Sequence, residues 1–216
     1  MSWSGGKDCA LALESLRGSP LFEVVELVTS LCPDTHRIAI HEVRRDLLRR
    51  QADSLGLPLA EVVLPRKATN AEYEMAWADF FFRRRQQAGI DHVAFGDLFL
   101  DEIRTYRQSF LGRLGMQALF PIWGNPTIQL AQDAINRGLK AIVCSCDRER
   151  LGGRFAGRLF DRTLLEELPE GCDPCGENGE FHTFVFDGPG FRWSVPWKSG
   201  KIAVCGPVEY VDLLTP

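Results

Sequence analysis

Apolar and polar positions along this chain follow two periods, helical and strand-like, that take turns from near the first residue. The stretch CALALESLRG sets Ala10, Leu11, Leu13 and Leu16 at helical spacing and stops at Gly18, which predicts a short helix closed by glycine. LFEVVELVTSL, from Leu21 to Leu31, is an apolar, β-branched run and predicts a buried strand. HEVRRDLLRRQADSLG returns to the helical period, with Val43, Leu47, Leu48 and Leu55 on one stripe and arginines opposite, and LAEVVLP is again strand-like. NAEYEMAWADFFFRRRQQAG predicts a helix capped at Asn70 and ended at Gly89, and DHVAFGD a short strand that turns into a loop at Gly96-Asp97. A further cycle follows: NPTIQLAQDAINRG as helix, LKAIVCSC as strand, and LFDRTLLEELPEG as a helix stopped by Pro169 and Gly171. This order predicts an α/β architecture, a mostly parallel sheet with helices on both faces.

From about Pro174 the texture changes. EFHTFVFDGPGFRWSVPW and KIAVCGPVEYVDLL are strand-like and joined by Gly-Pro turns, with no long helical period between them. A smaller β-rich C-terminal portion is therefore expected to pack on the sheet and form a cleft with it. The expected division is 1–125 for the α/β domain and 126–216 for a C-terminal α+β substrate-binding portion.

The chain has 216 residues, 45% of them hydrophobic, enough to bury a sizeable core. Its 25 basic and 29 acidic residues leave a net charge of −4, so the whole surface is no general magnet for nucleic acid or anionic lipid, and a polyanion would have to be gripped locally. Seven cysteines without a secretory leader or a membrane-length apolar run predict a cytoplasmic protein with reduced thiols. Cys144, Cys146, Cys172 and Cys175 would make a four-sulfur zinc site only if the fold brought them together; otherwise they are small buried hydrophobes.

The candidate chemistry begins at Ser4-Gly5-Gly6-Lys7-Asp8, just ahead of the first helix. Adjacent glycines let the backbone turn several N–H groups toward one point, and the helix start favours an anion there. Lys7 would add a point charge, Ser4 a hydroxyl, and Asp8 a carboxylate able to hold Mg²⁺ against phosphate oxygens. The common P-loop has Ser or Thr directly after its lysine, whereas this chain has Asp8. The alternative is a glycine turn that merely caps a helix. Only Met1, Ser2 and Trp3 precede Ser4, too few for an ordinary strand, so either the true start lies upstream or the first strand is clipped and nucleotide binding weakened.

The loop resembles the SGGxDS loop of the PP-loop ATP pyrophosphatases. With FGDLFLDEIRTYR at 95–107, LFPIWG at 119–124 and DPCGENGEFHTFVFDGPGF at 173–191, nearly the whole chain is similar to the diphthine–ammonia ligase family and its bacterial relatives. The resemblance implies a Rossmann-like fold of the adenine nucleotide alpha hydrolase type. It also implies an ATP-dependent ligase that adenylates a carboxylate, releases pyrophosphate and AMP, and transfers ammonia. By the same resemblance, Ser4, Gly5, Gly6, Lys7, Asp8 and Cys9 with Gly96 and Asp97 bind ATP, Asp8 and Asp97 meeting its Mg²⁺. Glu102, Arg104, Arg107, Glu177, Glu180 and Thr183 would bind the second substrate, and Lys7, Asp8, Glu180 and His182 would take part in catalysis. Cys9 departs from the family's usual Ser, and the additional C-terminal domains of the larger eukaryotic members are not matched here.

If GENGEFHT enters a strand, alternation places Glu180 and His182 on one face, where they could bind an ammonia-like nucleophile or move its proton. Arg104 and Arg107 could fork a carboxylate or a phosphate, the alternative being a solvated helix face. His41 ends a strand-like run, with a structural role as the other reading. The expected partners are ATP, a carboxylate-bearing small molecule or modified side chain, and ammonia or its donor; no membrane is expected, and a homodimer is left open. Two rival functions are a tRNA-modifying ATP pyrophosphatase, disfavoured by charge, and an ATP-binding regulatory module without turnover.

Overall fold

The computed structural model describes residues 1–38, 41–65 and 68–216. Its elements run α1 (Lys7–Arg17), β1 (Leu27–Leu31), α2 (Arg45–Leu55), β2 (Leu59–Val63), α3 (Asn70–Ala88), β3 (His92–Ala94), α4 (Asp101–Arg113), β4 (Gln117–Leu119), α5 (Thr127–Asn136), β5 (Lys140–Asp147), α6 (Arg148–Leu151), α7 (Arg162–Glu167), β6 (Phe181–Asp187), β7 (Lys198–Cys205) and β8 (Val208–Leu214). The predicted stops at Gly18 and Gly89 cap α1 and α3, Gly89 in the left-handed region at φ of 64°. Gly56 closes α2 in the same left-handed way, at φ of 69°. The cap of α3 falls one residue earlier than expected, on Thr69, which exchanges hydrogen bonds with Glu72 in a capping box.

β1 pairs with β2 and β3 with β4, both parallel. The two pairs are joined through Met1–Trp3: Val28 N–H donates to Met1 C=O at 2.9 Å, Trp3 N–H to Val28 C=O at 2.8 Å, and Ser2 N–H to Ala94 C=O at 2.9 Å. A run of residues too short to count as an ordinary strand thus occupies the middle of the order β2, β1, Met1–Trp3, β3, β4. Hydrogen bonds flank it on both sides. Alternation along β1 separates the cores: Leu27 packs with α1 and α2, while Val28 packs with α3 and α4 on the opposite face. Helices therefore cover both faces, as the pattern predicted.

The expectation fails at β5. LKAIVCSC was placed in the α/β alternation, but β5 pairs antiparallel with β6 and β8, in a four-stranded sheet of order β6-β5-β8-β7. Its positions from Ala141 to Cys146 are buried, and an interior strand of either sheet type reads as the same apolar run, so periodicity cannot name its partners. One continuous core runs from α1 and α2 into this second sheet through Phe181, Phe184 and Val185. β4 and α4 lacked a clean stripe in the sequence; α4 buries only Phe110 and Leu111.

Candidate functional site

Where the middle run Met1–Trp3 ends, the chain turns one way into α1 and β1, and where β3 ends it turns the other way into α4. Open α/β sheets bind ligands at such a reversal, outside the carboxyl ends of the strands. Ser4–Gly6 and Phe95–Asp97 leave the sheet here, and together with the C-terminal sheet they enclose a cavity of about 240 Å³. Ser4, Lys7, Asp8, Cys9, Gly96, Asp97, Arg107, Glu177, His182 and Thr183 all line it, and so does His41.

The loop is shaped from three directions. Gly5 has φ of 80°, and a Cβ there would lie 2.6 Å from Leu48 Cδ2 and 2.8 Å from Gln51 Oε1, so only glycine fits. Its carbonyl accepts from Val185 N–H at 2.9 Å and from Gln51 Nε2 at 2.9 Å. The Gln51 amide also donates to Val185 C=O and accepts from the Trp3 indole at 3.1 Å. Gly96 has a packing task of its own: a Cβ would come within 2.7 Å of the Asp8 carbonyl carbon, which lets the β3 loop lean on the first turn of α1.

The lysine of the loop points inward. Lys7 Nζ donates to Asp8 Oδ2 at 3.0 Å and to the Cys175 carbonyl, and the rings of Phe160 and Phe181 lie 5.6 Å and 5.3 Å from it. Burial is the largest single influence and opposes its charge, but Asp8, Cys175 and Glu177 together hold the ammonium above its ordinary pKa. Burial raises the Asp8 carboxyl against the pull of Lys7. Asp8 Oδ1 is buried and has no hydrogen-bond partner among the described residues.

Opposite the loop, residues 173–180 form a tight acidic turn. Asp173 Oδ2 accepts from the N–H groups of Cys175 and Glu177 at 3.1 and 2.9 Å, and Glu180 Oε1 accepts from Asp173 N–H and Asn178 Nδ2, each at 3.1 Å. Glu180 is thus turned into the hairpin and does not line the cavity beside His182, contrary to simple alternation; it precedes β6, where the turn and not the pleat directs it. Glu177 faces the cavity, accepting from Leu98 N–H at 2.7 Å. Burial, aided by the charges of Asp8 and Asp97, pushes its carboxyl up to about 7.

Asp97 meets Arg107 at 2.7 and 3.0 Å, and that guanidinium lies 4.1 Å from the centre of the Phe95 ring. Thr183 Oγ1 accepts from Lys7 N–H at 3.0 Å. His41 and His182 face each other at 4.5 Å, and burial, with Lys7 nearby, pushes His182 down to about 4; burial and His182 hold His41 well below its ordinary value. Both imidazoles are neutral at pH 7. Glu102 and Arg104 are not brought to the cavity: Glu102 is exposed, and Arg104 stacks on Trp123 at 4.6 Å.

Sequence reasoning missed Gln51 and Asp173. A glutamine within an amphipathic helix carries no signal, whereas Asp173-Pro174 ahead of a glycine is the signature of an Asx turn. The cysteines do not assemble a zinc site. Among the described residues no group of three or more His, Cys, Asp or Glu converges to hold a metal, and burial pushes the thiols of Cys144, Cys172 and Cys175 up to about 12.

A second cavity of about 380 Å³ opens at the carboxyl ends of β1 and β2, lined by Ser30, Leu31, Leu64, Tyr73 and Tyr210 among others. A small void borders both, sharing Tyr73 with the second cavity and Ser2, Phe95 and Arg107 with the first.

A sequence profile described as the diphthamide synthase N-terminal domain matches residues 1–118, and one described as the diphthamide synthase C-terminal domain matches 126–210. Among individual proteins, the chain is 26% identical to the diphthine–ammonia ligase of Danio rerio over 158 residues, 65% of this chain and 61% of that one. It is 26% identical to the diphthine–ammonia ligase of Schizosaccharomyces pombe over 209 residues, 88% of this chain and 34% of the relative, and 24% identical to that of Homo sapiens over 140 residues, 60% and 52%. The chain thus spans about one third to three fifths of the curated relatives it matches. The first profile alone covers more than half of the chain and the two together nearly all of it, and on this ground the chain belongs to the diphthamide synthase family.

Proposed function

We propose that this protein is an ATP-dependent amide-forming ligase of the diphthine–ammonia ligase type. The observation that carries the reading is the convergence, in one cavity, of the glycine loop at the middle of the parallel sheet with the Glu177-bearing turn of the C-terminal portion. Residues 1–125 supply the nucleotide side and 126–216 the substrate side. The triphosphate lies over Ser4–Gly6 and the start of α1, where backbone N–H groups and the helix dipole favour an anion. The nucleoside extends from there toward Tyr73 and the ends of β1 and β2.

Asp8, with its unpartnered buried oxygen, fits one ligand of a Mg²⁺ ion, which commonly needs one or two carboxylates when phosphates supply the rest. Asp97 is a weaker fit because Arg107 already engages it. Mg²⁺ bound there would offset phosphate charge. In the reaction a carboxylate oxygen of the substrate bonds to the α-phosphorus as pyrophosphate leaves. Ammonia then attacks the acyl carbon, AMP leaves, and the amide nitrogen loses one proton. Glu177, with a carboxyl near 7 and a place in the cavity, is suited to take that proton. Neutral His41 and His182 add no further positive charge to the cavity.

The decisive test incubates the protein with ATP, Mg²⁺ and ammonium over a panel of carboxylates that includes a diphthine-bearing peptide, and measures ATP–pyrophosphate exchange and amide formation. Exchange together with AMP supports the reading; ADP as the nucleotide product overturns it. Tight ATP binding without exchange over the whole panel would point to a regulatory module instead.

A further inference from the structure

Lys7 is 1% exposed, and most of its hydrogen-bonding capacity is engaged within the protein. Two of the three ammonium donors reach Asp8 and the carbonyl of Cys175, and the rings of Phe160 and Phe181 close the neighbouring sides. Its own backbone N–H is likewise committed, to Thr183 of β6. Both ends of Lys7 are therefore fastened to the C-terminal portion, although the residue belongs to the first turn of α1. The carbonyl it grips belongs to the turn that Asp173 and Glu180 brace and that carries Glu177. With Gly6 N–H on Ser4 Oγ and Lys7 N–H on Thr183, an anion over Ser4–Gly6 can still be met by the remaining N–H groups of the loop and helix start, without this ammonium.

We propose that Lys7 is a positioning residue, a pin that couples the shape of the glycine loop to the 173–180 turn, and not a ligand of the phosphates. Filling the loop then steadies Glu177 on the other side of the cavity, and loss of the pin uncouples the two. The inference rests on the reading of the loop as a nucleotide site, but its main measurement does not need nucleotide.

The test compares wild type with Lys7→Met, which keeps side-chain volume among the two phenyl rings, by hydrogen exchange and by calorimetric binding of the Mg²⁺ complex of α,β-methylene-ATP. In Lys7→Met, amides of residues 173–180 are expected to exchange about tenfold faster or more, while nucleotide affinity changes by less than about threefold. In wild type the analogue slows exchange in the turn, and in the variant it does not. Ser4→Ala is the comparator, expected to lose nucleotide affinity without loosening the turn. Unchanged exchange at 173–180 in Lys7→Met, or an affinity loss of about tenfold with an intact turn, overturns the proposal. Should Lys7→Met not fold, Thr183→Val removes the other fastening and is expected to loosen the same turn; an unaltered turn there counts against the pin. Absence of nucleotide binding to wild type would overturn the ATP reading and leave the exchange comparison to judge Lys7.

Discussion

Glu177 and Asp212 are both carboxylates held where the two sheets meet, and the fold treats them in opposite ways. Glu177 looks into the cavity, receives a single backbone N–H, and has Asp8 and Asp97 near it, so burial drives its carboxyl up to about 7. Asp212, on β8, receives the guanidinium of Arg44 at 2.8 Å through two donors and that of Arg37 at 2.6 Å, and these hold it down at about 2. The first carboxylate is left poised to exchange a proton. The second is consumed in tying the segment that carries His41 to the C-terminal sheet. Charge spent on architecture is fully paired, while charge kept for chemistry is buried and left short of donors.

The largest effect that would break this contrast is expected at Glu177. Glu177→Gln keeps an acceptor for Leu98 N–H but cannot take a proton, so amide formation should fall by about a hundredfold or more while nucleotide binding holds. Steady-state rates beside analogue binding would show it; a change below about threefold removes Glu177 from the chemistry. The same variant sharpens the comparison through stability. A carboxyl raised from about 4.5 to about 7 favours folding below pH 4.5 and loses that contribution as pH climbs to 7, so Glu177→Gln should flatten this loss in thermal melts.

Gln51 comes next. Gln51→Leu leaves the Gly5 and Val185 carbonyls and the Trp3 indole short of a buried partner, with an expected loss of about 2–3 kcal/mol in denaturant titration. A loss below about 0.5 kcal/mol would show that the loop holds its shape without it.

His182 provides a smaller, pH-dependent effect of the opposite sense to Glu177. Its pKa is depressed from 6.5 to about 4, so its contribution is whole above pH 6.5 and declines as pH falls toward 4. The expected decline is about 1–3 kcal/mol, and it should shrink in His182→Gln; equal slopes in the two proteins would refute it. Asp212→Asn stands last, at about 1 kcal/mol, because Arg44 is half exposed and such pairs are weak. In wild type this contribution is present above pH 3.8 and fades as pH falls to about 2, and the variant should lack that fading.

Glu177 stands out in the sequence as a candidate, whereas Asp212 and the arginines that pair with it do not. The segments that fold as helices α1, α2, α3 and α5 read as helices in the sequence, α1 and α3 with their glycine stops, and the acidic cluster of GENGEFHT is visible as a candidate site. Glu180 illustrates the limit. Pleat alternation assumes that the strand has begun, and the residue falls one position before Phe181, where the hairpin's own hydrogen bonds aim it inward. Arg104 and Arg107 lie on one helix and read alike in the sequence, yet only Arg107 reaches Asp97 and the cavity, because Phe95 lies beneath it and Phe120 and Trp123 lie beneath Arg104.

What the sequence by itself determined is local: which stretches bury a stripe or a run, where glycine must turn the chain, and which polar residues crowd into Ser4–Asp8 and Gly176–Thr183. Only the tertiary structure decided that Met1–Trp3 becomes the middle of the parallel sheet, that β5 belongs to the antiparallel one, and that Lys7 turns toward Cys175 and away from the loop. The reason is physical. Burial and periodicity depend on each residue and its near neighbours, whereas strand partners and the aim of a buried cation are settled by groups far along the chain that compete for the same hydrogen bonds.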